Sequence, residues 1–325
     1  VNPRPTILST APLRGPGLDK LREIGNVILD PWTEQIPFRV LGPDDLAELV
    51  IQTKAQILIC EADFCFGAVL ELPLMAVAAT RGDPTNVDLT AATNQGIPVL
   101  CTPGRNADSV AELTIGLLFA LNRRVLPADQ ELRQGRVFGD TLPYQRHRAP
   151  LLAGRTIGLV GLGAVGKSVK WRMEALGLRV IASDPFVEAA EWELEDLLAE
   201  ADIVSMHATA GPQTAHMMNH ESFALMKPGS LYINTARAGL HDLDALTQVL
   251  ENGHLRGAAL DHFEGEMLPE GHRLTTMDNV ILTPHIGGAC EDTELRHTQM
   301  IADDIVRILN QERPKHLANP EVWPV

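Results

Sequence analysis

The chain has 325 residues, 45% of them hydrophobic and 21% charged, and a formal net charge of −15. This is the composition of a folded protein long enough to bury two cores of ordinary domain size, and acidity spread along the chain argues against nucleic acid or an anionic membrane surface as a partner. The apolar stretch from Leu113 to Leu121 is far shorter than the ~18 residues of a membrane span. The opening residues, with Pro3 and Pro5, carry no signal-peptide pattern. Cys60, Cys65, Cys101 and Cys290 lack the spacing of a metal site, so a reduced, cytoplasmic protein is expected.

In chain order, residues 5–102 alternate short apolar runs (Thr6 to Ser9, Val27 to Leu29, Ile57 to Cys60, Met75 to Ala79, Val99 to Cys101) with helix-like segments such as Asp44 to Gln52. A strand-helix repeat of this kind predicts a parallel sheet covered on both faces. Ala107 to Arg124 reads as one long amphipathic helix. Gly135 to Pro150, with Arg136, Arg146, His147 and Arg148, has little periodicity and is expected to run irregularly over the surface or onto a neighbouring subunit. A second strand series starts at Arg155 and continues through Asp202 to Met206, Ser230 to Asn234, Leu255 to Leu260 and Asn279 to Thr283, before a last helix from Asp292 to Asn310. The fold class expected is α/β, with two doubly wound parallel-sheet domains.

Within the second series, Gly161-Leu-Gly163-Ala164-Val165-Gly166 ends one strand and opens a helix, expected over Lys167 to Leu176. This spacing binds a dinucleotide: Gly161 permits the tight turn, Gly163 lets a pyrophosphate approach, and Gly166 lets helix pack closely on strand. Asp184, 18 residues beyond Gly166, ends the next strand. A carboxylate there accepts ribose hydroxyls and repels a 2′-phosphate, which predicts NAD rather than NADP. The domains expected are therefore a Rossmann NAD-binding domain over residues 103–290, inserted into a flavodoxin-like substrate domain over 1–102 plus 291–325, with a cleft between them.

Three later segments place polar groups where strands should end: Asn234 to Arg237, Asp261 to Glu266, and Thr283 to Gly288. Carboxyl ends of parallel strands face the ligand crevice. An Arg supplies a planar fork for a carboxylate, and a His beside a carboxylate can hold and give a proton near neutrality.

These segments, with Asn86-Val-Asp-Leu, Gly96-Ile-Pro-Val-Leu-Cys-Thr-Pro-Gly and Ala107-Asp-Ser-Val-Ala-Glu, resemble the NAD-dependent D-isomer-specific 2-hydroxyacid dehydrogenases over nearly the whole chain. The resemblance implies a catalytic trio in which Arg237 grips the substrate carboxylate, His285 exchanges the proton and Glu266 pairs with His285. It also implies that Asp261 and the backbone of Thr235, Ala236 and Arg237 hold the nicotinamide end, with Gly287 and Gly288 nearby, that Ala164 and Val165 meet the pyrophosphate, and that Ala208 lies on the adenosine side. A homodimer is expected on the same ground.

Departures from the family pattern bear on the substrate. The loop that usually anchors the substrate anion reads Thr80-Arg81-Gly82-Asp83-Pro84, which makes Arg81, Gly82 and Asp83 candidate substrate contacts, with Arg105 a further one. Where relatives that act on 3-phosphoglycerate carry a phosphate-binding Arg after the third strand, this chain reads Cys60-Glu61-Ala62-Asp63-Phe64, and a carboxylate there is expected to repel a phosphate. His216 and His220 are spaced like metal ligands but have no third ligand, so no metal is expected. A reading of another class, an NAD(H)-sensing binding protein or transcriptional co-regulator of the same fold, is compatible with the trio, but no basic or peptide-groove segment favours it.

Overall fold

The computed structural model describes residues 4–323; the ends of the expected substrate domain, 1–3 and 324–325, lie outside the described residues. In chain order the elements are β1 Thr6–Ser9, α1 Pro16–Ile24, β2 Asn26–Leu29, α2 Pro43–Thr53, β3 Ile57–Cys60, β4 Ala76–Ala79, α3 Leu89–Asn94, β5 Val99–Leu100, α4 Ala107–Asn122, α5 Val125–Arg133, α6 Pro143–Arg146, β6 Thr156–Val160, α7 Ala164–Ala175, β7 Arg179–Ser183, α8 Leu194–Glu200, β8 Ile203–Met206, α9 His220–Leu225, β9 Leu231–Asn234, α10 Leu243–Glu251, β10 Gly257–Leu260, β11 Val280–Leu282 and α11 Glu291–Leu309. They form two compact units, residues 4–105 with 290–323, and residues 106–289. Among the described residues no helix is long and apolar enough to cross a membrane.

The first unit holds a five-stranded sheet in the order β2-β1-β3-β4-β5, with every pairing parallel. Its central strands are buried on both faces, and successive residues feed opposite layers. Ile7, Ile57, Ile59, Ala76 and Ala78 pack with Ile301 and Ile305 of α11. Leu8, Leu58, Cys60, Val77 and Ala79 pack with Leu46 and Val50 of α2. That two-residue alternation is what strands covered on both sides require, and each buried Ile, Leu or Val side chain among them contributes about 1.5–3 kcal/mol by leaving water.

The second unit holds a six-stranded parallel sheet in the order β11-β10-β9-β8-β6-β7. Ile157, Leu159, Ile203 and Ile233 face Leu117, Leu118 and Leu121 of α4 and Val169 and Met173 of α7. Val160, Val204, Met206 and Tyr232 face the layer of α8, α9 and α10. The chain leaves β6 to one side for β7 and returns to the other for β8, so the sheet order reverses at β6. Crevices at such a reversal, outside the carboxyl ends, are where open α/β sheets bind ligands.

Two local expectations need correction. The glycine-loop helix starts at Ala164 instead of Lys167, because Gly163 is its N-cap. The stretch expected to be irregular contains α6, and Arg146 and His147 both bond the Glu131 carboxylate of α5, at 2.8 and 3.0 Å. Periodicity shows neither the short helix nor the ion cluster that holds it.

Candidate active site

The glycine loop links β6 to α7. Gly161 has φ +98°, and a Cβ there would meet the Ala208 nitrogen at 2.5 Å and the His207 carbonyl carbon at 2.6 Å. A Cβ on Gly166 would collide with the carbonyl oxygen of Gly161, whereas one on Gly163 would meet nothing within 4 Å. The loop is therefore pressed against the residues that follow β8 on one side and open on the other, where Ala164, Val165 and Gly166 present first-turn N–H groups that have no acceptor within the helix. Asp184 accepts the Leu162 N–H at 2.7 Å and the Phe186 N–H at 2.9 Å, which fixes its half-buried carboxylate beside the loop. An open cradle with free N–H groups and a neighbouring carboxylate fits a dinucleotide.

At the end of β9, Asn234 organises the turn that carries Arg237. Its Oδ1 accepts the Ala236 N–H at 2.9 Å, its Nδ2 donates to the Arg237 carbonyl at 2.8 Å, and the same Nδ2 donates to His241 Nδ1 at 2.9 Å. An imidazole nitrogen accepting a bond carries no proton, and burial holds His241 down to about 4, with help from His216. The Thr235 hydroxyl is bonded to that of Thr114 at 2.8 Å, so this residue turns only backbone toward a ligand. Arg237 is exposed, and its Nη1 donates to the Ala236 carbonyl at 2.7 Å.

Asp261, at the end of β10, is wholly buried. One carboxylate oxygen accepts the Thr283 hydroxyl at 2.6 Å and the Ile286 N–H at 2.9 Å, and the other accepts the Gly287 N–H at 2.8 Å. Its carboxylate thus acts on the loop after β11, a partner set that residue spacing does not reveal. The Gly287 carbonyl accepts Ser109 Oγ at 2.7 Å, and Gly288 lies against Asn106. On the anchored loop, His285 Nδ1 lies 2.9 Å from Glu266 Oε1. Both residues take left-handed backbone conformations rare for side-chain-bearing residues, φ 53° and 61°. An ionised carboxylate only accepts, so Nδ1 bears the proton and Nε2 is left to exchange one. Both side chains are substantially exposed, so the pair orients the ring and adds little to stability.

His262, in the segment from Asp261 to Glu266, is a buried polar group beside His285. Its buried ring lies 3.7 Å from that of His285, centroid to centroid. Burial, then the charges of His285 and Arg237, push it down to about 3, so it stays neutral. Ligand atoms of His262, Glu266 and His285 lie within 4.8 Å of one another, a grouping that could hold a cation.

In the first unit, Glu61 follows β3 and Arg81 follows β4. Arg81 Nε donates to the Glu61 carbonyl at 2.7 Å, while Gly82 and Asp83 are exposed. The Glu61 carboxylate is paired with Arg105 at 2.5 Å, both side chains largely buried, and also accepts Trp32 Nε1 at 3.1 Å. Glu61 is therefore not the free negative charge expected beside a substrate, because Arg105, 44 residues further on, neutralises it. Arg105 also donates to His297 Nδ1 at 2.8 Å.

A doubly wound sheet with a glycine cradle at its reversal point, and an Arg, a Glu and a His at neighbouring strand ends, defines an oxidoreductase that uses a nicotinamide dinucleotide. Residues 115–287 match the family described as D-isomer specific 2-hydroxyacid dehydrogenase, NAD binding domain. The chain is 35% identical to a glyoxylate reductase of Thermofilum pendens, over 99% of this chain and 96% of that one. It is 37% identical to a hydroxypyruvate reductase of Thermotoga maritima, over 65% of this chain and 70% of that one. Among solved structures, the TT0316 protein of Thermus thermophilus superposes with a TM-score of 0.83 at 33% identity, covering 96% of this chain and 99% of that one. The chain belongs to the D-isomer-specific 2-hydroxyacid dehydrogenases, enzymes of NAD(P)-dependent hydroxyacid oxidoreduction.

Proposed function

We propose that this enzyme interconverts a small 2-keto acid and its D-2-hydroxy acid, with His285, Glu266 and Arg237 as the catalytic set. The observation that carries the reading is the 2.9 Å contact between His285 Nδ1 and Glu266, on a loop fixed by Asp261. In reduction, Arg237 holds the substrate carboxylate through its planar fork. Protonated His285 gives the Nε2 proton to the keto oxygen, and Glu266 keeps the Nδ1 proton in place. A bound dinucleotide would supply the hydride equivalent, so that one hydride and one proton convert the keto group to the hydroxyl. In oxidation His285 takes the proton back.

Ala164, Val165 and Gly166 would hold the pyrophosphate, Asp184 the adenosine ribose, and the backbone of Thr235, Ala236, Gly287 and Gly288 the nicotinamide end. Ala208 would line the adenosine side, and Asp261 would act through the loop it anchors. Asp184 supports NAD(H) over its phosphorylated form. Exposed Gly82 and Asp83 offer backbone N–H groups to a substrate anion, whereas Arg81 would orient that loop through Glu61. Relatives named for glyoxylate and hydroxypyruvate support a substrate of that size.

Four free thiols support a reducing cytoplasm. Exposed Phe119, Val125, Leu126 and Leu132, on α4 and α5, support a homodimer; light scattering at one subunit mass would overturn that reading. The enzymatic test is a panel of 2-keto acids, with NADH oxidation followed by absorbance. Turnover with glyoxylate or hydroxypyruvate is expected. A chain that binds NADH and oxidises it with no acid is a dinucleotide-sensing protein instead.

A further inference from the structure

At the amino edge of the second unit's sheet, opposite the catalytic edge, four neighbouring strands begin beside charged residues. Arg155 precedes β6, Asp202 precedes β8, Lys227 and Ser230 precede β9, and Arg256 precedes β10. Together with Pro150, Leu151 and Leu152 they line a cavity of about 250 Å³.

Three cations and one carboxylate face this cavity, an excess of positive charge in a chain whose net charge is −15. That one carboxylate is shared as an ion pair between Arg155 and Lys227, which leaves the three cations in excess. Asp202 Oδ2 is occupied by the Thr156 N–H at 2.9 Å, and Oδ1 lies 3.7 Å from Arg155 and 3.8 Å from Lys227, beyond hydrogen-bond range. Among the described residues Arg256 bonds neutral acceptors: Asn122 Oδ1 at 2.6 Å, the Asn122 carbonyl at 3.5 Å and the Gly229 carbonyl at 3.4 Å. Lys227 donates to the Glu200 carbonyl, also neutral. Burial, then the charges of Arg155 and Arg124, pull Arg256 below the usual arginine range, the signature of a guanidinium short of negative partners. Ser230 is 3% exposed, and its hydroxyl has no hydrogen-bond partner among the described residues. A buried hydroxyl of this kind costs about 1–3 kcal/mol unless something accepts or donates to it.

We propose that this cavity is a second anion site, which binds a dianionic phosphate group between Arg155, Lys227 and Arg256 with Ser230 Oγ donating to it. The volume suits one tetrahedral oxyanion with water, or the phosphate of a small monoester whose remainder reaches solvent past Leu151. Such a ligand offers several acceptor oxygens and the charge that the cations lack. The site is separate from the glycine loop and from Arg237, and it stands whether or not the proposed catalytic roles hold.

The test is calorimetric titration of the NADH-saturated enzyme with inorganic phosphate, and in parallel with glycerol phosphate, at constant ionic strength. Saturation with NADH keeps the anion off the glycine loop. One millimolar-or-tighter site is expected, weakened about tenfold or more in both Arg256→Met and Ser230→Ala. Tighter binding of the monoester would assign the site to a phosphorylated metabolite, and equal binding would assign it to free phosphate; both support the proposal. Ser230→Ala removes only a hydroxyl, so it remains informative if Arg256→Met fails to fold. The absence of a site at millimolar phosphate, binding unchanged in both variants, or binding lost in Arg237→Lys instead would overturn the proposal.

Discussion

Single side chains at this site divide into those that touch ligand and those that hold others in place. Asp184 is proposed for the first group, and two backbone N–H groups fix it beside the glycine loop. Asp184→Ala is expected to narrow the preference for NADH over NADPH by about tenfold or more, because it removes both a ribose acceptor and a repulsive charge; the ratio of kcat/KM values with the two coenzymes measures it, and an unchanged ratio would remove Asp184 from the cofactor site. His262 belongs to the second group. It is neutral at working pH, so its contribution is the ring packed at 3.7 Å from His285. His262→Phe, which keeps a ring, should retain most turnover, while His262→Ala should lower kcat about tenfold with little change in KM, since a displaced catalytic group loses productive geometry. Equal kcat in the two variants would contradict that positioning role.

At the scale of elements, two buried histidines tie acid sensitivity to the fold. His297 of α11 accepts a bond from Arg105 at Nδ1 and donates from Nε2 to the Pro12 carbonyl at 2.7 Å, so a second ring proton would face a guanidinium. Burial is the main cause holding both His297 and His241 near 4. The unfolded chain, with histidines near 6.5, binds more protons than the native state between those values. Stability is therefore fully present above about pH 6.5 and falls as pH drops toward 4, by up to about 2 kcal/mol per histidine at pH 5. The melting temperature should fall from pH 7 to pH 5, and His297→Gln should make that fall shallower; an equally steep fall would contradict the assignment. Elements were legible where a local pattern sets them: strands buried on both faces, and the glycine turn into α7. The break between α4 and α5 was not, because it depends on Arg124 adopting φ 53°, which its residue type disfavours and the surrounding packing imposes. The pairing of Glu61 with Arg105 was likewise hidden, since the partners lie on different connections of the sheet.

For the molecule as a whole, both sheets could be read from spacing and from resemblance, and the motifs singled out fall at the carboxyl ends of strands. What could not be read was which polar groups satisfy one another: the Asp261 carboxylate anchors the His285 loop, and Asn234 joins His241 to the Arg237 turn. The central claim is that Arg237 and His285 perform the chemistry while the glycine loop independently holds the coenzyme. The most direct test measures kcat/KM with the best 2-keto acid, alongside NADH affinity, in Arg237→Lys and His285→Ala. We predict a loss of about 10³-fold or more in turnover with NADH affinity nearly unchanged; turnover within tenfold of the unmodified enzyme in both variants would contradict the account.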